Sequence, residues 1–151
     1  MLDLVAIEQI KQLKARYFRG IDTCNLELLR TLLAPDVKIR FDSPTYQLEL
    51  NGLDEAMTFY STSFTNRRFG MHNGHTPEIE VEGDHATGLW YLNDVFINLD
   101  KQTLLNGSAI YEDTYIKVDG EWRILHTGYK RLLEMISPLG SQWQITSKPI
   151  N

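Results

Sequence analysis

At 151 residues the chain has the size of one domain and can bury roughly two thirds of its unfolded surface. A composition that is 42% hydrophobic and 23% charged is ordinary for a globular domain, and a net charge of −5 argues against nucleic acid as a partner. A single cysteine, Cys24, excludes an internal disulfide, the N-terminal stretch lacks a signal peptide's apolar core, and no run of about eighteen apolar residues offers a membrane span, so a cytoplasmic address is expected.

From residue 3 to about 21, Ile7, Ile10, Leu13, Tyr17 and Ile21 recur at the spacing of one helical face, with Glu8, Gln9, Lys11, Gln12 and Lys14 between them. Asp22-Thr23-Cys24-Asn25 breaks the pattern. Asn25 suits a cap for a second helix, Leu26 to Leu33, which Pro35 stops. Val37 to Phe41 and Tyr46 to Leu50 read as short strands around a turn at Asp42-Ser43-Pro44. Leu53, Ala56, Met57, Tyr60 and Phe64 mark a third helix with Asp54 and Glu55 in its first turn. Residues Phe64 to Gly70 read as an exposed loop.

Long strands follow. Pro77 to Glu82 and Ala86 to Asn98 meet around Gly83-Asp84, while Asn106 to Val118 and Glu121 to Leu133 meet at Asp119-Gly120, a strong hairpin signal. Three helices followed by a meandering sheet give an α+β class, and a curved sheet wrapped on a helix makes a cone with a pocket inside. The tail from Ser137 to Asn151, with Pro138, Gly140 and Pro149, reads as an arm or lid.

The motif YFRGID ending the first helix, MHNGHTPEI entering the sheet, ATGLWYLND, and YEDTYIKVDGEWRI across the last hairpin resemble the SnoaL-like branch of the nuclear transport factor 2-like superfamily. The resemblance runs from about Ile7 to Glu134. Within that branch it is to bile acid 7α-dehydratases, and more distantly to scytalone dehydratases. It implies a cone-shaped α+β barrel over residues 1–136, with three N-terminal helices packed on a strongly curved, mostly antiparallel sheet and residues 137–151 as the arm or lid. It also implies a homo-oligomer, a trimer before a dimer. The functional residues of that family fall here on Tyr17, Asp22, His72 and Asp94. A further pocket tyrosine of the bile acid enzymes falls on Phe41, so the same substrate does not follow.

Eliminating water β to a carbonyl requires a base, a donor to the enolate oxygen and an acid for the departing hydroxyl; it requires neither metal nor organic cofactor. A histidine suits the first task, and a carboxylate on its other nitrogen fixes the tautomer. On this reading His72 and Asp94 form the dyad, and Tyr17 and Asp22 polarise the carbonyl or assist the leaving group. A three-residue turn in the first long hairpin sets His72 opposite Asp94. A two-residue turn points them to opposite faces, and both turns fit the sequence. Read alone, Tyr17 is a core tyrosine sooner than a functional one, and Asp22 a helix-end or turn residue.

His75 reads as a structural histidine, His85 as a solvated turn residue, and His126 as a mid-strand residue of second rank. No His-x-Glu-x-His or His-Glu-x-x-His spacing, phosphate loop or nucleophile elbow occurs. The reading is therefore a cofactor-independent dehydratase acting on a small, apolar, cyclic hydroxy-ketone, steroid-like or polyketide-like. A ketosteroid-isomerase-like enzyme and a non-catalytic ligand-binding or assembly module remain open beside it.

Overall fold

The computed structural model describes residues 1–150, in which the chain runs α1 (Leu4–Asp22), α2 (Leu26–Leu32), β1 (Leu33–Asp42), β2 (Gln47–Asn51), α3 (Leu53–Ser63), β3 (Arg68–Glu82), β4 (His85–Asn98), β5 (Thr103–Val118) and β6 (Glu121–Pro138). The six strands form one curved sheet in the order β2-β1-β6-β5-β4-β3, antiparallel throughout except where β1 runs parallel to β6. Three helices pack on it, giving the cone-shaped α+β architecture expected from the sequence. No helix among the described residues is long and apolar enough to cross a membrane.

The helix starts follow from capping. Asp3 accepts the Ala6 N–H at 3.0 Å, and Asn25 accepts the Leu28 N–H at 3.0 Å. α2 stops one residue earlier than its pattern suggests. Leu33 is extended, pairs with Ile124 of β6 and is buried, so strand pairing overrides helix propensity there. The segment expected as a loop up to Gly70 is strand from Arg68, because Arg68, Phe69 and Gly70 pair with Asn98, Ile97 and Phe96. β6 likewise runs past Leu133 to Pro138, paired with the first residues of β5. The C-terminal segment therefore leaves the sheet at Leu139, whose N–H donates to the Gln102 carbonyl at 2.8 Å, and of the residues read as an arm or lid Asn151 lies outside those described.

The β3–β4 hairpin resolves the register question in a way neither turn length anticipates. Its turn has two residues, since Glu82 pairs with His85, yet His72 pairs with Asp94. A bulge between His75 and Glu78 reconciles the two: the Thr76-Pro77 segment inserts one extra residue, with Thr76 at φ +46°. Ile79 and Val81 beyond the bulge pair with Gly88 and Ala86 on the inner face, and His72 and Gly74 before it lie on that same face. At Gly74 a side chain would collide with Phe18, its Cβ falling 2.1 Å from the ring, so α1 seats its phenylalanine directly on the β3 backbone.

Lys14 departs from the polar face assigned to it. It is fully buried, and its ammonium lies 2.6 Å from Asp113 Oδ2, 3.3 Å from Thr127 Oγ1 and 3.7 Å from the centre of the Tyr111 ring. Burial pushes the Lys14 pKa down, and the charge and hydrogen bond of Asp113 push it back. Asp113 also accepts from the Tyr115 hydroxyl at 2.7 Å, which itself accepts from Trp90 Nε1 at 3.0 Å. Removing one member leaves an unpaired charge in the core. Asp113→Ala is expected to lower the free energy of unfolding by about 3–5 kcal/mol, and Lys14→Met combined with Asp113→Leu to recover most of that loss, measured by urea denaturation.

Candidate functional site

A cavity of ≈190 Å³ opens on the concave side of the sheet. Its apolar wall is largely aromatic: Phe41 from β1, Phe59 and Phe64 from α3 and its C-cap, and Phe96 from β4. The polar groups reach it from two directions. Tyr17 and Tyr60 come from α1 and α3, while His72, Asp94 and Arg131 rise from the sheet floor on β3, β4 and β6.

Asp22 grips His72 twice. Its Oδ2 accepts the His72 backbone N–H at 3.0 Å, and its Oδ1 lies 2.6 Å from His72 Nδ1. A carboxylate accepts only, so Nδ1 carries the proton and Nε2 is left as the basic nitrogen. The ring is held between Phe18, stacked at 6.1 Å, and the edge of Phe64 at 5.8 Å. Its side chain is 9% exposed and that of Asp22 25%. α1 continues unbroken to Asp22, so one helix carries both Tyr17 and Asp22 to the site. Tyr17 lines the cavity directly, whereas Asp22 acts on it from behind His72.

This corrects the expected dyad. Asp94 is the direct cross-strand neighbour of His72 and shares its face, but its carboxylate turns to Arg131, whose Nη1 and Nη2 donate to Oδ1 and Oδ2 at 2.5 and 2.7 Å. A bidentate guanidinium outcompetes a single imidazole N–H for the same oxygens. The pair spans β5 because Gly107 stands between them: a Cβ there would lie 2.8 Å from Arg131 Nη1 and 3.2 Å from Asp94 Oδ1. Burial opposes the charge of Arg131, but the hydrogen bonds and charge of Asp94 prevail and raise its pKa above the ordinary value. Sequence reasoning missed Arg131. The available signal was a glycine inside a long strand, on the line joining an inward aspartate to the next strand.

The Tyr17 and Tyr60 hydroxyls lie 2.8 Å apart in the fully buried part of the site. One hydrogen bond between two phenols uses one proton and leaves the other for a further acceptor, either the Tyr111 hydroxyl beside Tyr17 or a group in the cavity. Tyr111 meets Tyr17 and Tyr129 edge-on at 6.5 and 5.2 Å. Near Arg131 the hydroxyls of Tyr46 and Tyr129 hydrogen-bond to each other, while Phe41 stacks on Tyr129 at 4.5 Å and contributes no polar atom. The remaining histidines stay outside. His75 donates to Asn93 Oδ1 at 2.8 Å and stacks on Tyr91, and His126 Nδ1 donates to the Glu112 carbonyl at 3.1 Å. Among the described residues no three His, Cys, Asp or Glu side chains gather as a metal site.

The SnoaL-like domain family matches residues 3–128, and the chain belongs to that family. The fold is shared with solved structures at low identity. A scytalone dehydratase-like protein from Novosphingobium aromaticivorans is 18% identical, with a TM-score of 0.76 over 97% of this chain and 93% of its own. A LinA-type3 hexachlorocyclohexane dehydrochlorinase from Novosphingobium barchaimii is 16% identical, with a TM-score of 0.79 over 95% and 97%. A protein of unknown function from Mycobacterium tuberculosis is 26% identical, with a TM-score of 0.72 over 84% and 72%.

Burial raises the pKa values of Tyr17, Tyr60, Tyr111 and Tyr115 well above that of a free phenol. These groups favour the folded state below the unfolded tyrosine pKa of about 10, and that contribution is lost as pH rises above it, because the unfolded chain then releases protons that the folded chain retains. In an absorbance titration of tyrosinate, these four of the seven tyrosines are expected to ionise only together with unfolding.

Proposed function

We propose that this SnoaL-like chain is a cofactor-independent dehydratase that eliminates water from a small cyclic hydroxy-ketone. The observation that carries the reading is the Asp22 grip on His72 Nδ1, at the wall of an aromatic cavity that also presents a buried phenol pair. Nε2 of His72 takes the proton α to the carbonyl, and Asp22 stabilises the imidazolium that forms. The developing enolate oxygen accepts the spare proton of the Tyr17–Tyr60 pair as a hydrogen bond. As the enolate collapses, the carbon–oxygen bond to the hydroxyl breaks, the imidazolium returns its proton to the departing oxygen, and water leaves. Asp94 orients Arg131, whose guanidinium hydrogen-bonds that oxygen.

The volume bears on the substrate. A cavity of about 150 Å³ accommodates benzene, so ≈190 Å³ encloses one substituted ring, and a larger molecule extends through the mouth. This supports a polyketide-like aromatic or a comparable small ring over a four-ring steroid held entirely inside. Isomerisation of a β,γ-unsaturated ketone uses the same base and donor. The charged Arg131–Asp94 pair beside them favours the reaction that has a leaving oxygen to stabilise.

A screen of cyclic hydroxy-ketones read by mass spectrometry separates the outcomes: loss of water for the dehydratase, a retained formula for the isomerase, and binding without conversion for a ligand-binding module. For an accepted substrate, His72→Ala is expected to lower kcat/KM at least about 100-fold and Asp22→Asn by about 10²–10⁴-fold, with the overall fold retained by circular dichroism. Smaller losses in both variants would rule out His72 as the base.

The same reading includes a homo-oligomer, trimeric before dimeric. Leu132, Leu133, Met135 and Ile136 on β6 are each about half exposed or more, an apolar stretch that supports contact between copies. Light scattering after size exclusion is expected to give about three times the 17.5 kDa chain mass; a monomer at micromolar concentration would refute the assembly.

A further inference from the structure

Between β1 and β2 the chain makes a tight turn in which the Ser43 N–H donates to the Tyr46 carbonyl at 2.9 Å. Both side-chain hydroxyls of the turn reach across to β6. Ser43 Oγ donates to Glu134 Oε2 at 2.7 Å, and Thr45 Oγ1 donates to Glu134 Oε1 at 2.6 Å. One carboxylate thus fastens the turn at two points. The Glu134 side chain is only 5% exposed, and its Oε2 lies 3.6 Å from Arg131 Nε, a buried atom with no hydrogen-bond partner among the described residues. The fastening therefore sits against the guanidinium that holds Asp94.

Tyr46 is the residue this turn delivers. Its ring lines the cavity, its hydroxyl meets that of Tyr129, and it is 38% exposed, so it bridges the buried site and the surface. Two phenols sharing one hydrogen bond again leave one proton to donate, and with the Tyr129 hydroxyl as donor in the shared bond that proton is Tyr46's. The surrounding charge limits what can accept it. Arg131 already faces the carboxylates of Asp94 and Glu134, so a ligand carboxylate would be a third negative charge against one positive. A neutral oxygen meets no such penalty.

We propose that Tyr46 is a specificity-determining residue that donates to a second, neutral oxygen on the substrate ring, and that Glu134, through Ser43 and Thr45, is the positioning residue that sets it there. This rests on the reading of the cavity as a substrate site. Ser43 and Thr45 do not line the cavity, so they reach a ligand through Tyr46 or through Glu134 and Arg131, and the Tyr46→Phe background separates the two routes.

Three one-ring probes test it by calorimetry: 4-hydroxyacetophenone, with a neutral acceptor; 4-isopropylphenol, its apolar counterpart; and 4-hydroxybenzoate, with a carboxylate. The wild type is expected to bind the ketone about 3- to 10-fold more tightly than the isopropyl compound, the worth of one hydrogen bond, and to bind the benzoate least well. Tyr46→Phe should abolish that preference while leaving the affinity for 4-isopropylphenol within about twofold. Ser43→Ala combined with Thr45→Val should abolish it equally, and adding Tyr46→Phe to that variant should cost nothing more, the non-additivity of residues acting as one unit. General loosening would instead weaken the ketone and the isopropyl compound alike and would overturn the proposal. So would a preference that survives Tyr46→Phe, or a benzoate that binds best. Wild type with no saturable binding of any probe overturns the cavity reading and this inference with it. If the preference behaves as stated while His72→Ala leaves turnover intact, the dehydratase reading falls and the role of Tyr46 stands.

Discussion

The ion pair between Lys14 and Asp113 fixes how α1 sits in the cone, and the site depends on that seating. A buried ammonium between a carboxylate, a hydroxyl and the face of Tyr111 has one acceptable position, since any roll or slide of the helix strands a charge in the core. Tyr17 follows Lys14 by about one helical turn, and Asp22 follows Lys14 by about two. One anchor therefore places the phenol in the cavity and the carboxylate behind His72. Such pairs add little net stability against an apolar core, and their value here lies in selecting one arrangement.

The floor of the site is a polar band laid across four strands, with His72 on β3, Asp94 on β4, the gap at Gly107 on β5 and Arg131 on β6. Each of these side chains is held by a neighbour on a different element, His72 by Asp22 from α1 and Arg131 by Asp94. The helices and aromatic rings cover this band, which strengthens every hydrogen bond within it by excluding water. The band thus presents an imidazole, two phenols and a guanidinium to one small volume.

The periodicities made the elements legible: apolar spacing for α1, capping by Asn25, and the Asp119-Gly120 hairpin. The four residues carried by the resemblance do converge on one place, but the pairing among them was unreadable, because Asp94 has two possible partners and the stronger one, Arg131, lies far along the chain on a strand that is not adjacent to it. Lys14 was misassigned although its spacing from Ile10, Tyr17 and Ile21 is that of the buried face. Asp113 alternates with the inward residues Ala109, Tyr111 and Tyr115. Two opposite charges, each on the buried side of its own element, constitute a readable sign of an internal pair. The hairpin register was out of reach for another reason: the sequence fits two turn lengths, and the insertion at Thr76 breaks the assumption that joins turn length to facing.

That insertion makes β3 two strands of opposite phase spliced end to end. Toward the turn, odd-numbered residues such as Ile79 and Val81 face the core; toward the site, even-numbered residues such as His72 and Gly74 do. The packing of the turn-side half of the hairpin and the placement of His72 thus obey separate alternation rules and can drift apart in sequence without conflict. A turn one residue longer at Gly83-Asp84 with the insertion lost would leave His72 where it is. Relatives of this chain can then differ in hairpin length and still present the same histidine, and aligning them by counting residues back from the turn would misplace it.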